Sequence, residues 1–146
     1  MRVDDGLRIR PGALEDLAAV SAIQELCPEA AQWTVSDYLG YEFRVAEIGA
    51  RVAGFLVSRT LSAGEREILN MAVTPFCRRQ GVARGLLQSL LEEPLNSVFL
   101  EVRESNQGAR YLYKSMGFQE VSVRREYYQT PDGLPESAIV MKFHSC

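Results

Sequence analysis

Residues 51–61, RVAGFLVSRTL, constrain this chain more than any other stretch. The run is apolar through its whole middle, with no alternation to give it a wet face, so it reads as a strand buried on both sides. Its neighbours fit a sheet around it. YEFRVAEI (41–48) precedes it across the tight turn Gly49-Ala50, and EREILNMAV (65–73) follows it after the turn SAGER. LRIR (7–10) alternates like a short strand ended by Pro11-Gly12, and SVFLEVR (97–103) is a strand with one acid in its apolar centre. Two last strands are expected near 118–128 and 136–143, around the turn TPDG.

Helical spacing alternates with these strands. Leu14, Leu17, Ala18, Ile23 and Leu26 recur at three- and four-residue steps, which predicts an amphipathic helix over 13–27 that Pro28 stops. A short helix is expected over 34–40, capped by Thr34 or Ser36. Another is expected from about Val82 to Glu92, broken by Pro94. The clearest helix is 106–116: Ala109, Leu112, Tyr113 and Met116 share a face, Asn106 or Ser105 caps it, and Gly117 closes it. The pattern is mixed α/β, and 146 residues suit a single domain over 1–146.

Several function classes are disfavoured. A net charge of −3 argues against coating nucleic acid. Cys27, Cys77 and Cys146 are odd in number, far apart and without metal-ligand spacing, as expected of reduced thiols in the cytoplasm. The start lacks an apolar leader and no run approaches a membrane span, so neither secretion nor a membrane partner is expected. The one histidine, His144, stands near the C-terminus. A Ser-His-Asp triad, a Cys-His pair or a zinc site would need more, so no metal is expected. An enzyme built on this chain would draw its acid and base from carboxylates, tyrosine or water.

One short stretch points to chemistry. CRRQGVARGLL (77–87) sets Arg78, Arg79 and Arg84 around Gly81 where a strand ends and a helix begins. The first amides of a helix have no intrahelical partner and face whatever lies there. The helix dipole supplies only about 0.3–1 kcal/mol. Charge-assisted hydrogen bonds of about 1.5–3 kcal/mol each, from amides and arginine, would hold a phosphate. Neither G-x-x-x-x-G-K-[ST] nor G-x-G-x-x-G is present, so this is no P-loop or dinucleotide fingerprint. A merely solvated helix start is the alternative, but it leaves positive charge at the unfavourable end of the dipole.

VTPFCRRQGVARGLL resembles the coenzyme A signature of the GNAT superfamily of N-acetyltransferases, Q/R-x-x-G-x-G/A, with Arg78, Gly81 and Ala83 at its fixed positions. With EILNMAV, LEVRESNQGARYLYKSMGF and RREYYQTPDG, the chain is similar to the RimI subgroup, which acetylates the N-terminal alanine of a small-subunit ribosomal protein. The resemblance implies a mostly antiparallel sheet of about seven strands, splayed between the fourth and fifth, with about four helices and acetyl-CoA in the gap. It implies that Met71, Ala72 and Val73 pair with the pantetheine arm and that Arg78, Arg79, Gln80, Gly81, Val82, Ala83 and Arg84 bind the pyrophosphate. It further implies a coenzyme contact from Asn106, Glu101 as general base, Tyr113 as general acid, and Tyr127 and Tyr128 along the peptide groove. RimI-like chains carry Pro-Trp-Ser in the loop that shapes the peptide pocket. Here EAAQ separates Pro28 from Trp33, and the link EEPLNS is shorter than in the subgroup.

Each role has a plainer competitor. Glu101 alternates with Val98, Leu100 and Val102, as a solvent-facing acid would, and Glu67 is a rival base. Tyr113 lies on an apolar helix face, where core tyrosines are common. Tyr127 and Tyr128 fit strand packing equally well, and Cys77, with no histidine partner, reads as structural. Three functions stand open: a protein N-terminal acetyltransferase, an acetyltransferase for small amines, and an acyl-CoA-binding module without turnover.

Overall fold

The computed structural model describes residues 6–78, 81–129 and 133–145, with the backbone alone at 126–129. Seven strands form one sheet: β1 (Leu7–Pro11), β2 (Glu42–Ile48), β3 (Arg51–Ser62), β4 (Glu65–Val73), β5 (Ser97–Arg103), β6 (Gln119–Gln129) and β7 (Pro135–His144). Their order is β1-β2-β3-β4-β5-β7-β6, with β4 parallel to β5. The helices are α1 (Leu17–Leu26), α2 (Val82–Leu91) and α3 (Gln107–Ser115). By contacts the chain divides into two compact units, Met1–Arg59 with Ile68–Glu93, and Thr60–Glu67 with Pro94–Cys146. No described helix is long and apolar enough to cross a membrane.

In the first unit β3 behaves as its composition demands. Residues 53–58 are all buried, and alternation sends them to two cores. Phe55 and Val57 join Val20, Ile23, Tyr38, Phe43 and Val45 beneath α1. Gly54 faces the other way, toward Val82 at the start of α2, and Leu56 shares that side. Farther along α2, Gly85 lies against Leu7 and Ile9 of β1.

Two predicted helices are shorter and tighter than their spacing suggests. The first opens as a 3-10 turn, Leu14–Asp16, before α1 begins. Arg10 grips both oxygens of Asp16 at 2.8 Å, and Asp16 also accepts the Ala13 amide at 2.8 Å. That clamp, extended by Arg10 to Glu47 at 3.0 Å, fixes the first turn independently of the helix. Hydrogen bonding from Arg10 holds both carboxyls below their usual range. Residues 35–40 form a 3-10 helix with Thr34 at its N-cap but no side-chain cap bond.

In the second unit β7 lies between β5 and β6, antiparallel to both. Val98, Leu100 and Val102 are buried on one face, where the Phe118 ring packs, tilted, between Tyr113 of α3 and Phe143, with centroids 5.6 Å from each. Phe99, Glu101 and Arg103 alternate onto the opposite face. In β6 the register slips between Glu120 and Ser122, leaving Val121 as a bulge. Glu120 and Arg124 are four residues apart and would share a face of a regular strand. The bulge separates them: Glu120 meets Arg110 and Lys114 of α3, while Arg124 turns to the Glu101 face. Of the turn TPDG, residues 130–132 lie outside the described residues, as does Cys146.

Candidate functional site

Each unit carries part of the predicted site. In the first, Thr74 donates its amide to the Ala53 carbonyl at 2.8 Å. Antiparallel ladders alternate, so Ala72 shares that side while Met71 and Val73 turn their backbone groups away from β3. The Met71 amide donates to Asn70 Oδ1 at 3.0 Å, and the Val73 carbonyl accepts the Cys27 thiol at 3.4 Å. Burial pushes that thiol up, which makes it inert as a nucleophile. Cys77 is a half-buried free cysteine.

Past Val73 a short turn, Pro75–Cys77, leads into Arg78, whose backbone is extended. Gly81 then adopts a left-handed conformation, φ 79° and ψ 11°, as the N-cap of α2. Having no side chain, it makes no cap bond, so the helix itself gives the amides of Val82, Ala83 and Arg84 no partner. Its carbonyl accepts from Gly85 at 2.9 Å, which closes the first turn. The seat for this helix is Gly54, not singled out by sequence. A β-carbon there would stand 3.1 Å from Val82 Cγ1 and 2.9 Å from the Ala72 carbonyl oxygen. Arg78 Nη2 donates to Cys27 Sγ at 3.4 Å and lies 3.5 Å from Glu29 Oε1, a long contact for an ion pair. Arg84 is exposed. Arg79 and Gln80 lie outside the described residues.

The loop between α1 and β2 is held by a buried polar network that sequence reasoning also missed. The Tyr38 hydroxyl donates to Gln24 Oε1 at 2.7 Å. Asn70 Nδ2 donates to the Ala31 carbonyl at 2.8 Å and to Tyr38 Oη at 2.9 Å. Gln24 Nε2 reaches the Trp33 carbonyl at 2.6 Å. Trp33 is half-buried and meets Tyr41 edge-on, with centroids 6.2 Å apart. The one available signal was Asn70, a lone amide in the otherwise apolar stretch ILNMAV.

In the second unit Glu101 is half-buried on β5 and accepts a hydrogen bond from Arg124 Nη1 at 2.5 Å. Asn106 caps α3, its Oδ1 accepting the Ala109 amide at 3.2 Å, which leaves the Nδ2 group to donate elsewhere. Glu136 of β7 anchors the turn before it, accepting the Ser105 amide at 2.6 Å. A hydrogen bond from the Ser105 side chain, helped by that amide, holds the Glu136 carboxyl below its usual range. Tyr113 is 7% exposed, and burial pushes its hydroxyl well above the ordinary tyrosine value. Glu101 and Tyr113 therefore stand on opposite faces of this unit's sheet. Glu67 is half-buried near the start of β4. Tyr127 and Tyr128 are in β6, and their side chains lie outside the described residues.

The arrangement matches known proteins. The Acetyltransferase (GNAT) family model fits residues 13–118, which run through both units. The chain is 40% identical over 103 residues to the [ribosomal protein bS18]-alanine N-acetyltransferase of Escherichia coli K12, covering 68% of each. It is 36% identical over 97 residues to the Haemophilus ducreyi protein of that name, covering 64% of this chain and 66% of the relative. These matched stretches span about two thirds of the relatives' length. The crystal structure of the Escherichia coli ribosomal-protein-S18-alanine N-acetyltransferase superposes with a TM-score of 0.83 at 32% identity, over 94% of this chain and 93% of that one.

Proposed function

The chain belongs to the GNAT acetyltransferase family, and on that premise we propose that it is a cytoplasmic enzyme, one domain over 1–146, that acetylates a protein N-terminal α-amine. The acceptor in this reading is the N-terminal alanine of ribosomal protein bS18, the substrate in its relatives' names. The observation that carries the proposal is Gly81, a left-handed N-cap with no side chain, opening α2 directly after β4. Uncapped amides beside Arg78 and Arg84 fit a pyrophosphate, which needs many donors and tolerates no intruding cap. Arg79 and Gln80 belong to the same assignment by sequence.

Acetyl-CoA supplies the thioester. Met71 and Val73, turned away from β3, offer backbone groups to the pantetheine arm and a donor to the reacting carbonyl. The Asn70 bond to the Met71 amide would yield to that oxygen. Attack requires a neutral amine. A terminal amine has a pKa of about 7.7–8.0, so deprotonation near pH 7 costs only about 1 kcal/mol, against more than about 4 kcal/mol for lysine. Glu101, acting through water, takes that proton. Tyr113, kept protonated by burial, donates to the departing sulfur. Asn106 Nδ2 contacts the coenzyme, while Trp33, Tyr127 and Tyr128 line the acceptor side.

The test is direct. The protein is incubated with acetyl-CoA and a peptide bearing a free N-terminal alanine and one internal lysine, and mass spectrometry locates any acetyl group. Acetyl on the alanine amine alone is expected. Acetyl on lysine, or coenzyme binding without transfer, would overturn the assignment and favour a small-amine enzyme or a binding module.

A further inference from the structure

The carboxylate assigned as the base does not stand alone. Glu101 on β5 pairs in register with Val140 of β7, and Arg124 on β6 pairs with Ala138 of the same strand. Paired residues share a face, as do residues two apart, so Glu101, Val140, Ala138 and Arg124 occupy one side of this sheet. Two strand spacings, about 9.6 Å, separate β5 from β6. Arg124 starts opposite Ala138, a small, fully buried residue, and reaches diagonally across β7 to Glu101, which lies opposite Val140. A second arginine on this face, Arg103, is 3.6 Å from Glu136 and so has its own carboxylate. Arg124 is the cation given to Glu101, and it reaches this face because of the Val121 bulge.

The contact has a particular form. One guanidinium nitrogen donates to one oxygen, Oε2 of Glu101. Arginine often takes both carboxylate oxygens in a fork, as Arg10 does with Asp16, though Arg110 meets a single oxygen of Glu120. Here Arg124 fixes one oxygen and leaves Oε1 to face a water or an amine. Arg124 is itself half-exposed while Glu101 is 23% exposed, so the arginine approaches from the solvent side.

From this geometry we infer that Arg124 is a positioning residue for the acetyl-transfer step: it aims the Glu101 carboxylate and keeps one oxygen open for the acceptor's proton. The inference rests on the reading of Glu101 as the base. Arg124 forms no bond with substrate and takes no proton.

The test is a double-mutant cycle on the full chain, with acetyl-CoA and the N-terminal alanine peptide, comparing R124Q, R124K, E101Q and E101Q/R124Q. Circular dichroism verifies that each variant is folded, and R124K serves should R124Q not be. R124Q is expected to lower kcat about ten- to a hundredfold, as a misaimed group does, with KM for acetyl-CoA unchanged. R124K is expected to recover part of the loss. In the E101Q background the same change is expected to do nothing further, since the carboxylate through which Arg124 acts is gone. Wild-type kcat in R124Q, a rise in kcat, or a full additional loss on top of E101Q would overturn the inference while leaving Glu101 its role. An E101Q protein as active as wild type, or an inactive wild type, would instead bring down the underlying reading and this inference with it.

Discussion

The two units make their contributions by different means. In the proposed reaction the first works with backbone: a left-handed glycine, an uncapped helix start, and the Met71 and Val73 backbone groups turned away from β3. In the same proposal the second works with side chains: Glu101, paired with Arg124, as base, and Tyr113, whose hydroxyl burial keeps protonated, as acid. A backbone site tolerates many side chains but is broken by any that alters the chain path. A side-chain site tolerates path changes poorly and fails on loss of a single functional group. The contrast predicts a clean separation between coenzyme binding and turnover.

Glu101→Gln offers the largest effect. Loss of a general base is expected to lower kcat about 10²–10⁴-fold, with acetyl-CoA affinity by calorimetry unchanged. Gly81→Val tests the other unit. A β-branched residue at positive φ costs about 1–3 kcal/mol, so acetyl-CoA affinity should drop about tenfold or more. Saturating coenzyme should restore most of kcat. A loss of kcat without loss of affinity would erase the distinction between the units. Tyr113→Phe should lower kcat about tenfold, at the lower end of what acid catalysis contributes. Because burial raises the wild-type hydroxyl, the pH–rate profile should show no tyrosine deprotonation up to about pH 10, the ordinary tyrosine value.

The smallest effect tests a purely structural contact. Arg10 depresses the Asp16 pKa, so the clamp's stabilisation is present above the unfolded value near pH ~3.9 and is lost as pH falls through the lower folded value. Asp16→Asn should therefore lower the melting temperature at pH 7 and make stability less sensitive to acid below about pH 4, read by thermal denaturation across pH.

Periodicity made most of the fold legible. The apolar run of β3 and Gly117 at the end of α3 follow from local chemistry, and of the two caps it offered, Asn106 or Ser105, the structure uses Asn106. Local chemistry could not distinguish a 3-10 helix at 35–40 from an α-helix, because six residues give too few turns for the period to separate them. The Gln24–Tyr38–Asn70 network joins residues up to 46 positions apart, and no window of sequence contains it. Glu101 was visible as an acid in a strand, but its arginine was not. Four residues of spacing between Glu120 and Arg124 would have put Arg124 on the α3 side, and only the slipped register reverses that.

That slip adds one residue to β6 ahead of Arg124, and a second slip, between Arg124 and Tyr128, lies beyond it. Removing Val121 would leave Glu120 opposite Met141 and Ser122 opposite Val140, the partners they already have. Removing a residue between Ser122 and Arg124 would instead exchange the two faces of the strand beyond it. Between Glu120 and Arg124, length variation among homologous β6 strands should therefore concentrate at Val121. There, the chain can gain or lose a residue without changing which side chain meets the carboxylate.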